Sequence, residues 1–368
     1  MKKSVDIFYV HLFNDFSGSP RVFRDAINSG ISTPNNTYVL TSKHRGFLDG
    51  VNARRINCFY ARNNNRYIQL FYFLISQIFL FFQLSFWLIG NRLKSRKSTV
   101  IINTMLPFGA GVAAKLFATK VVYYVHETHI KPDLLKAFLR FFIQHCATSV
   151  IFVSKYLQHQ ESFDKIGSDV IYNGLRTDFI PSNDLDFRSK FERKQLFFAG
   201  SLKKYKGISQ LISLALSLPK FNVVAAINCE GYEYDEFIAG NTIPKNLIIH
   251  VRPSNIQQLF QESFLVLNLS LPEAWTETFG LSLLEGMAFG CPVVAPTVGG
   301  PVEFVNNENG LLVDARNTEK IVEFVLYLNS SFDVWNRYSN EALSMSKKFT
   351  AEEYKTALIA YFEKFYLV

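Results

Sequence analysis

Two carboxylates eight positions apart, Glu277 and Glu285, flank the step Phe279-Gly280. Gly280 breaks the polar segment before it, and apolar side chains then recur at helical spacing from Leu281 to Phe289. A helix is expected to open just after Gly280, and its first N–H groups have no intrahelical partner. The backbone from Thr278 through Phe279 and Gly280 to Leu281 thereby becomes an anion site by geometry and dipole. Carboxylates beside an anion site conflict unless they accept hydrogen bonds from neutral hydroxyls of the same ligand. A sugar nucleotide has that mixture: an anionic diphosphate, a ribose diol and hexose hydroxyls. Downstream, Cys291–Pro296 reads as a short buried strand, and Gly299-Gly300 as a loop whose backbone approaches something closely.

Three other stretches carry chemistry. Leu196–Gly200 reads as a strand, and it is followed by Ser201 and a loop holding Lys203, Lys204 and Lys206 before a helix from Ile208. A glycine and then a basic loop at a helix start suit a phosphate. His126 follows the strand-like run Val121–Val125, at the end of a strand where open α/β sheets bind ligands. His129 lies close enough to compete with it. Gly18-Ser19 ends a polar loop behind the strand Val5–Val10, and Pro20 suits the first position of the next helix.

A Glu, seven residues and a second Glu, with Phe-Gly after the first and Gly299-Gly300 and Glu303 downstream, resemble the signature of retaining glycosyltransferases of family 4. The resemblance implies the GT-B architecture, two Rossmann-like domains facing across a cleft. It implies that Glu277 holds hydroxyls of the donor sugar, that the backbone around Thr278–Leu281 binds sugar or phosphates, and that Glu285 accepts from the ribose diol. It places His126 against the sugar, Gly18 and Ser19 near the donor phosphate, and Lys206 on the diphosphate. The family usually has Arg where this chain has Ser201. A serine offers one neutral hydrogen bond in place of a forked guanidinium, so Lys203 or Lys204 takes over the charge or the diphosphate is held differently. The likeness is strongest from Gly200 to Val313 and looser before Val150.

The chain of 368 residues is long for one domain and comfortable for two. Apolar residues at 48% and charged residues at 19% exclude a disordered chain. Lys and Arg number 39 against 31 Asp and Glu, a net charge of +8 that suits anionic partners. No nucleic-acid-binding signature accompanies that charge. Cys58, Cys146, Cys229 and Cys291 are scattered without metal-ligand spacing and read as buried side chains in a reducing compartment. Lys2-Lys3 precede only a short apolar run broken by Asp6, which reads as a first strand, and a cytoplasmic protein is expected.

Strands are expected at Val5–Val10, Thr37–Thr41, Arg55–Phe59, Val100–Asn103, Val121–Val125 and Ser149–Val153, then at Leu196–Gly200, Val223–Ile227, Leu247–Val251, Phe264–Leu269 and near Leu311. Helical stretches alternate with them, among them Pro253–Phe260, which argues for parallel sheets covered on both faces. The domains are expected at residues 1–180 and 181–348, with a polar linker from Pro181, and a last helix at 349–368 crossing back onto the first domain.

Tyr67–Ile89 is almost continuously apolar and as long as a bilayer span, with Arg62 and Arg66 before it and Arg92, Lys94, Arg96 and Lys97 after. Gln69, Ser76 and Gln83 recur every seven residues as a polar stripe. Strands of one sheet lie on both sides of it, and a sheet cannot be split across a membrane. A helix lying on the membrane surface is the favoured expectation, and a helix buried in the protein core the alternative.

These readings converge on a retaining glycosyltransferase. It would move a sugar from a nucleotide diphosphate donor to a hydroxyl acceptor such as a lipid-linked saccharide of capsule or O-antigen, at the inner face of the plasma membrane. No metal or other cofactor is expected. The alternatives are another GT-B enzyme, such as a sugar-nucleotide epimerase or a phosphorylase, or a non-catalytic sugar-nucleotide-binding protein.

Overall fold

Short runs of Val, Ile, Phe and Tyr, bounded by polar and glycine-containing stretches, set the strands. The computed structural model describes residues 5–179 and 185–366, so most of the expected linker from Pro181 lies outside the described residues. Seven strands form one parallel sheet: β1 (Val5–Val10), β2 (Thr37–Ser42), β3 (Arg54–Cys58), β4 (Lys97–Asn103), β5 (Lys120–Val125), β6 (Ser149–Phe152) and β7 (Gly167–Val170). Six more form a second: β8 (Gln195–Gly200), β9 (Asn222–Ile227), β10 (Leu247–Val251), β11 (Leu265–Leu267), β12 (Val293–Ala295) and β13 (Gly310–Leu312). Only β7 has no counterpart among the strands expected from sequence.

The first sheet runs β3-β2-β1-β4-β5-β6-β7 and the second β10-β9-β8-β11-β12-β13. In each the order reverses once, between β1 and β4 and between β8 and β11. Two Rossmann-like α/β units result, and each has its ligand-binding edge at the carboxyl ends of those central strands.

Contacts divide the chain into Met1–Tyr172 with Tyr354–Val368, and Asn173–Glu353. The first division falls before residue 180 because the intervening segment packs into the second unit. There Leu175 N–H donates to Phe349 O at 2.7 Å, and the Phe179 ring stands 5.6 Å from that of Phe260. The last helix, Ala351–Tyr366, packs on the first unit, with Tyr354 OH 3.3 Å from Tyr124 OH and Tyr361 OH 2.6 Å from Ser149 Oγ. Thr350 Oγ1 caps its start by accepting from Glu353 N–H.

Two helix starts differ from expectation. The first helix is Gly18–Asn28, so Pro20 is its third residue, still in the turn where no N–H partner is required. The helix expected over Pro253–Phe260 is Ile256–Gln261.

The long apolar segment forms the helix Arg66–Leu93, long and apolar enough to cross a membrane by length and composition. It connects β3 to β4 and lies against the sheet. Its polar stripe turns inward: Ser76 and Gln77 are buried, Gln77 Oε1 accepts from Gly109 N–H at 3.1 Å, and Gln83 Nε2 donates to Asn57 O. A Cβ at Gly109 would stand 2.2 Å from Gln77 O, so the neighbouring helix Phe108–Phe117 approaches this one through a glycine. The aromatic face turns outward, with Phe82 66% and Phe86 73% exposed.

Candidate active site

In the second unit the residues gather where the sheet order reverses. β8 ends at Gly200, and a turn of 3-10 helix, Lys204–Lys206, leads through Gly207 into the helix Ile208–Ser217. Gly207 holds φ at 84°, and a Cβ there would stand 2.1 Å from Leu269 O. The loop is thereby pressed onto the chain that follows β11, which carries Asn268. Lys206 Nζ donates to Glu277 Oε2 at 2.9 Å, and Asn268 Nδ2 donates to the same oxygen at 3.3 Å. Burial works to raise the Glu277 carboxyl. The Lys206 charge and hydrogen bond, the Asn268 amide and the Gly280 N–H outweigh it and hold the group below the ordinary carboxylate range. Glu277 is therefore an ionised acceptor at neutral pH.

The helix expected after Gly280 is Leu281–Ala288, with Gly280 at its N-cap in the left-handed region at φ 100°. Its position is fixed from two sides. A Cβ on Gly286 would stand 2.6 Å from Val266 Cγ2 of β11, so this helix lies close on the sheet. The Gly299-Gly300 loop lies on the opening segment: Gly300 N–H donates to Glu277 O at 2.9 Å, and a Cβ on Gly299 or Gly300 would stand 2.2 Å from Glu277 O or 2.3 Å from Thr278 O. What the two glycines approach closely is the backbone carrying Glu277 and Thr278. Phe279 is buried against Phe304 and Phe349, while Thr278 and Leu281 are half-buried. Glu285 lies on the same helix and is 7% exposed.

The basic loop divides its charges. Lys203 points to Glu233 at 3.6 Å, Lys206 holds Glu277, and Lys204 is exposed. Ser201 is half-buried just beyond β8. Of the two lysines that stood as replacements for the missing arginine, Lys203 already serves another carboxylate. Trp275, which sequence reasoning passed over, stacks on Tyr205 at 5.4 Å and lies 5.9 Å below Lys206 Nζ.

The first unit has its own cluster where β1 and β4 part. His11 follows β1 and Asn103 ends β4; His11 Nδ1 and Asn103 Nδ2 are 3.0 Å apart, and the same amide donates to Ser19 O at 3.2 Å. Gly18 is exposed, and a Cβ there would meet nothing within 4 Å. His126 follows β5 and packs on Tyr124 at 4.5 Å. Burial pushes the His126 imidazole down to about 3, with the His11 charge adding to the effect, and burial pushes His11 down to about 4. Glu127 accepts the N–H groups of Met105 (2.7 Å) and His126 (3.1 Å), yet burial prevails and pushes it up to about 7. His126 Nε2, Asn103 Oδ1 and Thr104 Oγ1 are buried polar atoms with no hydrogen-bond partner among the described residues. Thr104 also holds a strained φ of 72°. Unsatisfied polar atoms and backbone strain at the carboxyl edge of a doubly wound sheet mark a place for a polar ligand. His129, partly exposed beside Lys136 and Lys131, stands outside this cluster.

Sequence reasoning missed His11, Asn103, Thr104 and Asn268. Each closely follows or ends a buried strand, but only the sheet order shows which strand ends are central.

With this geometry established, known proteins supply an independent comparison. Residues 182–343 match the family model described as Glycosyl transferases group 1. That match lies within the second unit. An uncharacterized glycosyltransferase of Methanocaldococcus jannaschii is 27% identical over 284 residues, covering 72% of this chain and 75% of that protein. A sucrose-phosphate synthase of Spinacia oleracea is 28% identical over 106 residues, which span 28% of this chain and only 10% of that much longer protein. Among solved structures, Anabaena HepE in complex with UDP and glucose superposes with a TM-score of 0.78 at 16% identity, over 97% of this chain and 99% of that one. The likeness to HepE shows the fold, the GT-B pairing of two Rossmann-like domains.

Proposed function

We propose that this chain is a group 1 glycosyltransferase, a retaining enzyme that transfers a sugar from a nucleotide diphosphate donor to a hydroxyl acceptor. The observation that carries the reading is the Lys206–Glu277 pair at the switch point of the second sheet, beside a glycine-capped helix start that also bears Glu285. Glu277, kept ionised, accepts from hydroxyls of the donor sugar. The N–H groups around Thr278–Leu281 take the sugar or phosphate oxygens. Glu285 accepts from the ribose diol. Lys206 neutralises charge growing on the departing diphosphate. HepE, described with UDP and glucose, supports a nucleotide-sugar donor of this kind.

In the reaction, the acceptor oxygen bonds to the anomeric carbon as the bond to the diphosphate oxygen breaks on the same face. The acceptor proton passes to that phosphate oxygen, so no covalent protein intermediate forms and no metal is used. His126 and its neighbours at the carboxyl edge of the first sheet serve the sugar or the acceptor, which the unsatisfied Nε2, Oδ1 and Oγ1 atoms support. Gly18 and Ser19 line the same edge near the donor phosphate.

The acceptor is assigned as a lipid-linked saccharide of surface-polysaccharide synthesis, and the protein to the inner face of the plasma membrane. The outward aromatic face of the Arg66–Leu93 helix, with basic residues at both ends, supports bilayer contact. The test is the product's anomeric configuration by proton coupling in NMR. Retention is expected. Inversion would remove the mechanism, whereas turnover without acceptor, or only with free phosphate, would favour an epimerase or a phosphorylase.

A further inference from the structure

A cavity of about 730 Å³ opens at the carboxyl end of the Arg66–Leu93 helix, on the amino-terminal edge of the first sheet. This is the edge opposite to His11 and His126, so the cavity has no part in the site described above. Its floor is aromatic: Tyr38 is buried, and the Trp87 ring stands 5.4 Å from it. Its charged lining comprises Arg54, Lys94 and Arg96. The Arg54 guanidinium lies 5.8 Å from the Tyr38 ring centroid. Arg96 stands 3.6 Å from the buried Asp6 carboxylate, which also accepts from Asn91 Nδ2, so one of the three cations is partly neutralised. Neither Arg54 nor Lys94 has an ion-pair partner among the described residues.

The cavity is continuous with the helix's outward face. Phe71, Leu74, Ile78, Phe82, Phe86, Ile89 and Leu93 recur at intervals of three and four and are all exposed. Phe86, Ile89 and Leu93, at the end of that stripe, also line the cavity. Apolar side chains thus run directly into a recess with an aromatic floor and an excess of positive charge. A membrane-surface helix needs that sequence of chemistries to place its stripe among acyl chains and its end on headgroup phosphates.

We infer that this cavity binds the phosphate headgroup of an anionic phospholipid while the stripe lies in the acyl region of the same leaflet. The inference rests on the bilayer contact proposed above and deepens it from a general affinity to a built site. Arg54 and Lys94 hold the phosphate, Trp87 lies at the level of the glycerol, and Phe82 and Phe86 enter the chains. Anionic charge in the membrane then fixes one end of the helix and so sets the orientation of the first unit on the bilayer.

The test is sedimentation of the full-length protein with vesicles of phosphatidylcholine alone or mixed with phosphatidylglycerol. The wild type should prefer the anionic vesicles. Arg54→Gln and Lys94→Gln should each weaken that preference roughly fivefold, the effect of about 1 kcal/mol per cation, and leave binding to neutral vesicles unchanged. Phe82→Ser with Phe86→Ser should weaken binding to both kinds. Lys220→Gln with Lys245→Gln, which removes twice the charge of either single variant from the exposed surface of the second unit, should leave the preference intact. An equal loss from that control pair would reduce the effect to overall charge and overturn the site. So would inorganic phosphate abolishing the preference at millimolar concentration, or a lipid-free dimer that Phe86→Ser dissociates. Thermal stabilisation by nucleotide sugars, measured in the same variants, separates failure of this inference from failure of the transferase reading.

Discussion

Lys206 Nζ stands 2.9 Å from Glu277 Oε2, joining the basic loop after β8 to the segment that opens the glycine-capped helix. Neither group is far from solvent, and each neutralises the other until a ligand divides them. A donor can draw the ammonium toward its diphosphate and leave the carboxylate, still bonded to Asn268, for sugar hydroxyls. In the proposed reaction the pair is thus a preorganised donor site closed on itself.

Removing either partner should therefore cost more than one hydrogen bond. Lys206→Ala and Glu277→Ala should each lower kcat about 10²- to 10³-fold, the scale seen when a transition-state charge partner is lost. The double variant should fall little further, because the residues act as a unit. Initial rates with saturating donor check this; losses that multiply would mean the two act independently.

Gly300 and Gly167 should respond differently to the same methyl group. At Gly300 the added Cβ would stand 2.3 Å from Thr278 O, so Gly300→Ala must displace the backbone beside Glu277. It should lower the melting temperature, at a cost of about 1–3 kcal/mol, and most of the activity should go with it. Gly167→Ala, at the start of β7, meets nothing within 4 Å and should leave both near the wild type. Thermal unfolding and a transfer assay on the two variants compare them directly.

The histidines of the first unit make stability depend on acid. An unfolded histidine protonates near 6.5, whereas folded His126 and His11 resist to about 3 and 4. Below 6.5 the unfolded chain binds more protons, so this contribution is present above 6.5 and is lost as pH falls toward 4. Glu127, raised to about 7, runs the other way: its contribution is full below about 4.5 and is lost as pH rises through 7. His126→Asn should flatten the decline in melting temperature between pH 6.5 and 4.5. In NMR the His126 ring should stay neutral at pH 5, and titration near 6.5 would refute the buried environment.

Metal removal should leave activity in place. The proposed reaction discharges the leaving group through Lys206 and backbone N–H groups, so transfer rates should survive dialysis against a chelator. A rate restored only by added divalent cation would contradict that arrangement.

The strands and the donor helix were legible because local chemistry dictates them. Val5–Val10 and Leu247–Val251 are apolar runs bounded by polar residues, and Gly280 before a periodic apolar run announces a helix start. Glu277, Lys206 and Glu285 could be singled out because they lie in or beside such signals, and the structure brings Lys206 to Glu277. The His11–Asn103 pair was not legible, since 92 residues separate its members and only the crossover from β1 to β4 makes them neighbours. The polar stripe of the long helix was visible in its spacing. Its inward direction was not, because that depends on Gly109 of a later helix, which brings a backbone N–H to Gln77.

The most direct test is thermal stabilisation of the purified protein by a panel of nucleotide diphosphates and their sugars. The account predicts a shift with one base series, lost in Lys206→Ala and Glu285→Ala and retained in Gly167→Ala. No shift with any member would leave the two Rossmann-like units standing and contradict the assignment of a nucleotide-sugar donor to Lys206, Glu277 and Glu285.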